Sequence, residues 1–286
     1  MDKVIRVGAR GSKLSFNQAK KVLEILNKKG FKTEFVPITT KGDKERDKPL
    51  FKISGVGIFV KEIERKILEG EIDIGVHSAK DVPTQIEEGL EISCYLKRES
   101  PFDVLVSYVS SIYELKEGAV VGTSSIRRRE FLLEKRNDLI IKDLRGNIDT
   151  RIKKWERGEY DAIVISEVSI KRLKLNVPYV RLDIEEFPPS PGQGAICIES
   201  KKDFIYRDVL KEINDEKTFI EVETEREILS KLSIGCSVPF GAYAFIDNGE
   251  INLILKYKKG NEFIKIKERG KTKEELVKKV YEKIFS

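Results

Sequence analysis

AVVGTSSIRRREFLLEKRNDLIIKDLRGNIDTRIKKWERGEYDAIVISE, residues 119–167, switches repeatedly between two hydrophobic periods. AVVGT, LIIKDL and AIVISE are short apolar runs rich in Val and Ile, the pattern of buried strands. Between them, SSIRRREFLLEKR and NIDTRIKKWERG space their apolar residues at helical intervals. Strand, helix, strand, helix, strand predicts βαβ units and a mostly parallel sheet covered on both faces.

The same rhythm runs upstream. VIRVGA reads as a strand, Ser12 as the cap of a helix through LSFNQAKKVLEILNKK, and Gly30 as its stop. TEFVPI is a strand, IFVKEIERKILEG a helix ending at Gly70, and IDIGV a strand leading into VHSAKDVP. A polar, glycine-rich loop at 40–57 interrupts this series and is long for a compact domain. FPPSPGQGA, residues 187–195, reads as a joint. After about residue 216 a helix pattern, three alternating strands and a last helix predict a small α+β region. The expected domains are 1–98 with 195–215, 99–194, and 216–286. Two α/β lobes joined by a hinge present a cleft at the carboxyl ends of their strands, where such sheets bind ligands.

Of 286 residues, 36% are charged, and 54 basic side chains against 48 acidic give a net charge of +6. With the signs so nearly balanced and no nucleic-acid motif, a nucleic-acid partner is not expected. No run approaches the ~20 apolar residues of a membrane helix, and MDKVIRVGAR enters a strand pattern with no apolar leader. A cytoplasmic protein without membrane contact is expected. Three cysteines with no CxxC and no zinc spacing point away from disulfides and metal. Cys94 and Cys197 lie in strand-like runs and read as small buried hydrophobes. Cys236, in SIGCSVPFG, lies in a loop where a thiol can be reached.

Candidate chemistry gathers at strand ends. VGTSSIRRR puts Thr123, Ser124 and Ser125 at a strand-to-helix turn, a ready anion site. Arg127, Arg128 and Arg129 follow in the first turns and oppose the helix dipole, so local stability does not explain them. Arg129 points about 200° from Arg127, toward solvent. Arg10, Arg145 and Arg151 leave or closely follow other strands, and their guanidinium forks suit carboxylates or phosphates. The competing reading is scattered surface ion pairs. Asp81, beside Lys80, is either a surface ion pair or a carboxylate that stabilises a cation or moves a proton. His77, the one histidine, shows no orienting carboxylate in the sequence and reads as scaffold.

VGARGSKLSFNQA, GIFVKEIE, DIGVHSAKDVPT, VGTSSIRRR, LRGNIDTR, PGQGA and GCSVPFGAYA, in this order from Val4 to about Ala244, resemble the porphobilinogen deaminase (hydroxymethylbilane synthase) family. The resemblance implies two lobes like type II periplasmic binding proteins around a cleft, plus a small C-terminal α+β domain, in a monomer. It implies head-to-tail condensation of four porphobilinogens, with loss of ammonia, into hydroxymethylbilane for tetrapyrrole biosynthesis. It also implies a dipyrromethane cofactor bound as a thioether, and places that bond on Cys236. Asp81 is then the catalytic carboxylate. Lys80, Ser125, Arg127, Arg128 and Arg145 are expected to hold the cofactor, and Arg10, Ser12, Arg151 and Arg172 the substrate.

That chemistry suits these residue types. Losing ammonia from an aminomethylpyrrole leaves an azafulvenium cation that a nearby carboxylate stabilises, and each added ring brings two carboxylates for cations to neutralise. Val56, Phe102 and Ile234 stand where the family commonly has Lys, Arg and Gly. An anion-binding protein of the periplasmic type remains the alternative, with no use for Cys236.

Overall fold

The computed structural model describes residues 4–40, 60–232 and 238–285. Cys236, Ile234, Val56 and nearly all of the 40–57 loop lie outside the described residues. The chain divides into two compact units: Met1–Glu99 with Gly194–Glu223, and Ser100–Gln193 with Thr224–Ser286.

The first unit is built on a five-stranded sheet, in the order β2-β1-β3-β10-β4. β1 (Ile5–Arg10), β2 (Thr33–Ile38) and β3 (Ile74–Ser78) pair in parallel. β10 (Ile196–Lys201) runs antiparallel between β3 and β4 (Leu90–Leu96). Alternation divides the side chains between two faces. Val7, Ile74, Val76, Cys94, Ile196 and Ile198 pack with Ala19, Val22 and Leu26 of α1 (Lys13–Lys28). Ile63 and Ile67 of α2 (Lys61–Leu68) share a second core with Ile38, Ile72 and Leu90. Ser12 caps α1 by accepting from the Ser15 N–H at 3.2 Å. Gly30 and Gly70 end α1 and α2 with φ of 87° and 74°. Those signals in the sequence are realised.

The second unit repeats the arrangement in the order β7-β6-β8-β5-β9. β6 (Val120–Gly122), β7 (Ile140–Lys142) and β8 (Ala162–Ser166) are parallel. β5 (Asp103–Val106) is antiparallel to β8 and β9 (Tyr179–Arg181). Apolar clusters on both faces cover the sheet, one containing Phe131 and Leu132, the other Ile152 and Trp155. Both sheets are therefore mixed. The periodicity reads the parallel strands correctly but carries no sign of the reversed fourth strand, because strand direction follows from how the connections run.

A three-stranded antiparallel meander follows: β11 (Phe240–Asp247), β12 (Glu250–Lys259) and β13 (Glu262–Gly270). It packs on α3 (Ile126–Lys135) through paired charges. Lys256 and Lys258, on one face of β12, meet Glu134 and Glu130, one helical turn apart on α3. The Lys256 ammonium is fully buried, also donates to the Glu186 carbonyl at 2.8 Å, and lies 4.5 Å from the Phe131 ring centroid. The final helix, α8 (Lys273–Phe285), buries Leu276, Val277 and Val280.

Helix α7 (Glu216–Lys231) crosses from the first unit to the second at Glu223 and Thr224. Its buried Glu225 accepts from the Gly192 N–H at 2.6 Å and the Ala244 N–H at 2.8 Å. The joint and β11 are thereby held together, with Ala242 N–H also donating to the Pro189 carbonyl at 2.9 Å. At Gly241 this approach leaves no room for a side chain: a Cβ there would lie 2.2 Å from the Pro188 oxygen. Gly241→Ala is expected to destabilise the protein by about 1–3 kcal/mol, the usual cost of overpacking, read as a lowered urea midpoint with an unchanged slope.

Candidate functional site

In the first unit, β1 and β3 are parallel neighbours, so the residues leaving them share one edge of the sheet. Arg10 ends β1 and is half-buried, and Ser12 follows as the α1 cap. Beyond β3 the chain turns through a 3-10 segment, Ala79–Asp81. Gln18 of α1 donates to the Ser78 hydroxyl at 2.7 Å, and the Ala79 N–H donates to the Ala195 carbonyl at 3.1 Å. Ala79 is buried, while Lys80 and Asp81 are exposed. The turn is fastened at its entry and offers both charged groups outward.

In the second unit, β6 and β7 present their carboxyl ends together. The Ser124 hydroxyl donates to the Leu144 carbonyl at 2.6 Å, stitching the TSS turn to the LRGN turn. Ser125 caps α3, accepting from the Arg128 N–H at 3.4 Å. Arg129 is exposed, as its helical angle requires.

Arg127 and Arg128 turn inward around Asp103, a β5 carboxylate with no solvent exposure. Arg128 Nη2 donates to Asp103 Oδ1 at 2.6 Å and its Nη1 to the Val164 carbonyl at 3.1 Å. Arg127 Nη2 stands 2.7 Å from Asp103 Oδ2, a charge contact without hydrogen-bond geometry, while its Nη1 donates to the Pro188 carbonyl at 2.8 Å. Gln193 Nε2 completes the set, donating to Asp103 Oδ1 at 2.8 Å and to the Pro101 carbonyl at 2.7 Å. Burial alone would raise the Asp103 pKa, but the two arginine charges and the hydrogen bonds from Arg128 and Gln193 hold it well below the usual carboxylate range.

The sequence expectation of arginines on a bound anion therefore meets a more constrained picture. The terminal nitrogens of Arg127 and Arg128 already serve the chain. Their Nε–H groups are buried without a partner. Two guanidinium groups against one carboxylate leave a net positive charge.

More cations adjoin this network. Arg151, on α4 (Ile148–Glu156), donates from Nε to the Gly146 carbonyl at 2.9 Å. Gly146 needs its φ of 104°, and a Cβ there would press within 2.9 Å of Thr150. The Arg151 pKa is pushed down to about 10 by burial, then by the positive charges of Arg128 and Arg145. An arginine depressed by its arginine neighbours lies in surroundings short of negative charge. That shortage, together with the two orphaned Nε–H donors, fits a ligand carrying several carboxylates. Arg172 lies on α5 (Glu167–Leu173), half-buried.

Asp103, Gln193 and Glu167 escaped the sequence reading. Glu167, nearly buried, pairs with Arg181 at 3.1 Å and Lys171 at 3.2 Å and accepts from Tyr179 at 3.1 Å. The acid in SPFD and the amide in PGQG were the available signals. Cys94 and Cys197 are buried free thiols, and burial pushes the Cys94 thiol up to about 12.

Fold and site together define an α/β protein whose strand-end turns concentrate cations. Its sequence matches the model of the porphobilinogen deaminase dipyromethane cofactor binding domain over residues 5–205, and that of the porphobilinogen deaminase C-terminal domain over 219–286. A probable porphobilinogen deaminase from Picrophilus torridus is 49% identical over 84% of this chain and 85% of its own. Another from Ignicoccus hospitalis is 42% identical over 98% and 95%. The porphobilinogen deaminase of Caldicellulosiruptor saccharolyticus is also 42% identical, over 94% and 93%. Among solved structures, the periplasmic aliphatic sulphonate binding protein SsuA of Escherichia coli matches at 16% identity and a TM-score of 0.43, over 82% of this chain and 71% of its own. The chain belongs to the porphobilinogen deaminase family.

Replacing Asp103 by Ala is expected to cost about 3–5 kcal/mol, because two buried guanidinium charges lose their partner. Its contribution is full above the unfolded carboxylate pKa of about 3.9 and fades as the pH falls below it. Urea midpoints at pH 7 and pH 3.5 test this: wild type and variant should differ clearly at pH 7, and the gap should have begun to narrow, without closing, at pH 3.5.

Proposed function

We propose that this chain condenses four porphobilinogens head to tail, releasing ammonia, into the linear tetrapyrrole hydroxymethylbilane. The observation that carries this reading is the match of both family models across nearly the whole chain. The positive charges of Arg128 and Arg145 that bear on Arg151 support it, since the product gains two carboxylates with every ring.

Asp81 is the catalytic group in this reading. An exposed carboxylate on a fastened turn can stabilise positive charge developing at a pyrrole and can take or return a proton. Lys80, Ser125, Arg127, Arg128 and Arg145 hold the cofactor's carboxylates, with Arg127 and Arg128 contributing net charge and their Nε–H groups. Arg10, Ser12, Arg151 and Arg172 hold those of the substrate. When bound, the dipyrromethane supplies the pyrrole end on which the product is built, and Cys236 anchors it through a thioether. The remaining parts of the reading are a C-terminal α+β domain over 216–286 and a cytoplasmic monomer that needs neither membrane nor nucleic acid. Among the described residues, no helix is long and apolar enough to cross a membrane.

Intact-protein mass is the direct test of the anchor. The purified protein should exceed its sequence mass by one dipyrromethane unit, and Cys236→Ala should return to the sequence mass. An adduct on Cys94 or Cys197 would overturn the assignment. Asp81→Asn should keep the cofactor mass and lose at least about 10²-fold in ammonia release from porphobilinogen, the usual scale of a proton-transfer group. Turnover within tenfold of wild type would remove Asp81 from its role.

A further inference from the structure

The face of the first sheet that α2 covers holds three titratable groups that the mechanism does not use. Register sets Cys197 opposite His77 and Glu199 opposite Gly75 across β10 and β3. Their neighbours Ile74, Val76, Ile196 and Ile198 belong to the core under α1, so His77 and Glu199 face the other way. His77 Nε2 lies 3.1 Å from Glu199 Oε2, and the two side chains are 3% and 0% exposed. The imidazole folds back over Gly75, where a Cβ would stand 2.9 Å from His77 Nε2 and 2.6 Å from Ile63 Cγ2. Glu64, next to Ile63 on α2, is also buried. Glu199 Oε1 is sealed from solvent without a hydrogen-bond partner.

A buried carboxylate oxygen without a donor is costly unless a proton is supplied to it. Two buried carboxylates that feel each other's charge, as Glu64 feels that of Glu199, cannot both ionise cheaply. Burial pushes Glu64 up to about 7; the charge of Glu199 adds to this, while His77 and a hydrogen bond from the Glu87 backbone partly offset it. Among the described residues no group of His, Cys, Asp or Glu is placed to hold a metal ion.

Several other titratable groups on the packed elements have partners of their own. Tyr95 of β4 donates to Glu223 of α7 at 2.5 Å, and the Cys197 thiol points to the His77 carbonyl at 3.9 Å. On α2, Arg65 pairs with Glu62 and Glu69, and Lys66 with Glu71. The cluster also brackets the catalytic turn. His77 lies on the strand entering it, and Glu64 accepts from the backbone of Glu87 on the segment leaving it.

We propose that Glu64, His77 and Glu199 share a buried proton and act as a positioning cluster for the Ala79–Asp81 turn, so that the placement of Asp81 follows the protonation of Glu64. The functional consequence rests on the role given above to Asp81; the structural coupling does not. With a single histidine in the chain, ¹⁵N-histidine NMR reads the cluster without ambiguity, and backbone amide shifts of residues 79–82 read the turn. Between pH 5.5 and 8.5, wild-type amides at 79–82 should follow the Glu64 inflection near 7, with the His77 ring shifts changing over the same range as its reporter. Glu64→Gln, an uncharged mimic of the protonated side chain, should abolish it at both, and Glu199→Gln should displace it. The matching inflection in kcat should vanish in Glu64→Gln with KM unchanged. Flat amides at 79–82, or a Glu64→Gln titration identical to wild type, would overturn the proposal. A wild type that makes no tetrapyrrole would instead sink the functional reading, because the NMR coupling is measured without turnover.

Discussion

The buried Asp103 carboxylate is the constraint around which the second unit is arranged. It has no access to water, so its charge must be met by the chain, and Arg127, Arg128 and Gln193 meet it. Asp103 lies on β5, its partners come from the first turn of α3 and the 187–195 joint, and Arg128 also reaches the Val164 carbonyl on β8. One carboxylate thus fixes three segments that the sequence separates. The same contacts orient the start of α3, where Ser125 caps the helix and Ser124 binds the Leu144 carbonyl. Because two guanidinium groups answer one acid, the network keeps a positive charge beside Arg145 and Arg151.

This explains why arginines at a helix start are tolerated. They oppose the α3 dipole, and within the helix nothing compensates them. Compensation comes from Asp103 through tertiary contact. The lysines of β12 follow the same logic from the other side of α3: Lys256 and Lys258 neutralise Glu134 and Glu130, and the buried Lys256 also lies over an aromatic ring. The helix is held between a sheet that consumes its arginines and a sheet that consumes its glutamates.

The two five-stranded sheets share an order in which the fourth strand runs against its neighbours. In the first unit that strand, β10, is supplied by chain that has already passed through the second. Its arrival brings Glu199 to His77 and Ala195 to the turn of Asp81. The Ala79–Asp81 turn is therefore braced by residues more than a hundred positions away, which gives the joint at 187–195 a structural as well as a connecting role.

The sequence by itself determined what depends on near neighbours. Alternating periods gave the parallel strands and their helices, glycines at positive φ ended α1 and α2, serines at 12 and 125 capped helices, and helical angle put Arg129 in solvent. Ordered motifs in the chain also identified its family. Only the tertiary structure decided which charges meet. His77 shows no orienting carboxylate in the sequence because Glu199 is 122 residues away, and Arg128 shows no partner because Asp103 is 25 away on an antiparallel strand. Hydrophobic period is a local signal set by 3.6 or 2 residues per turn. The pairing of buried charges is set by strand order and direction, which no local period encodes.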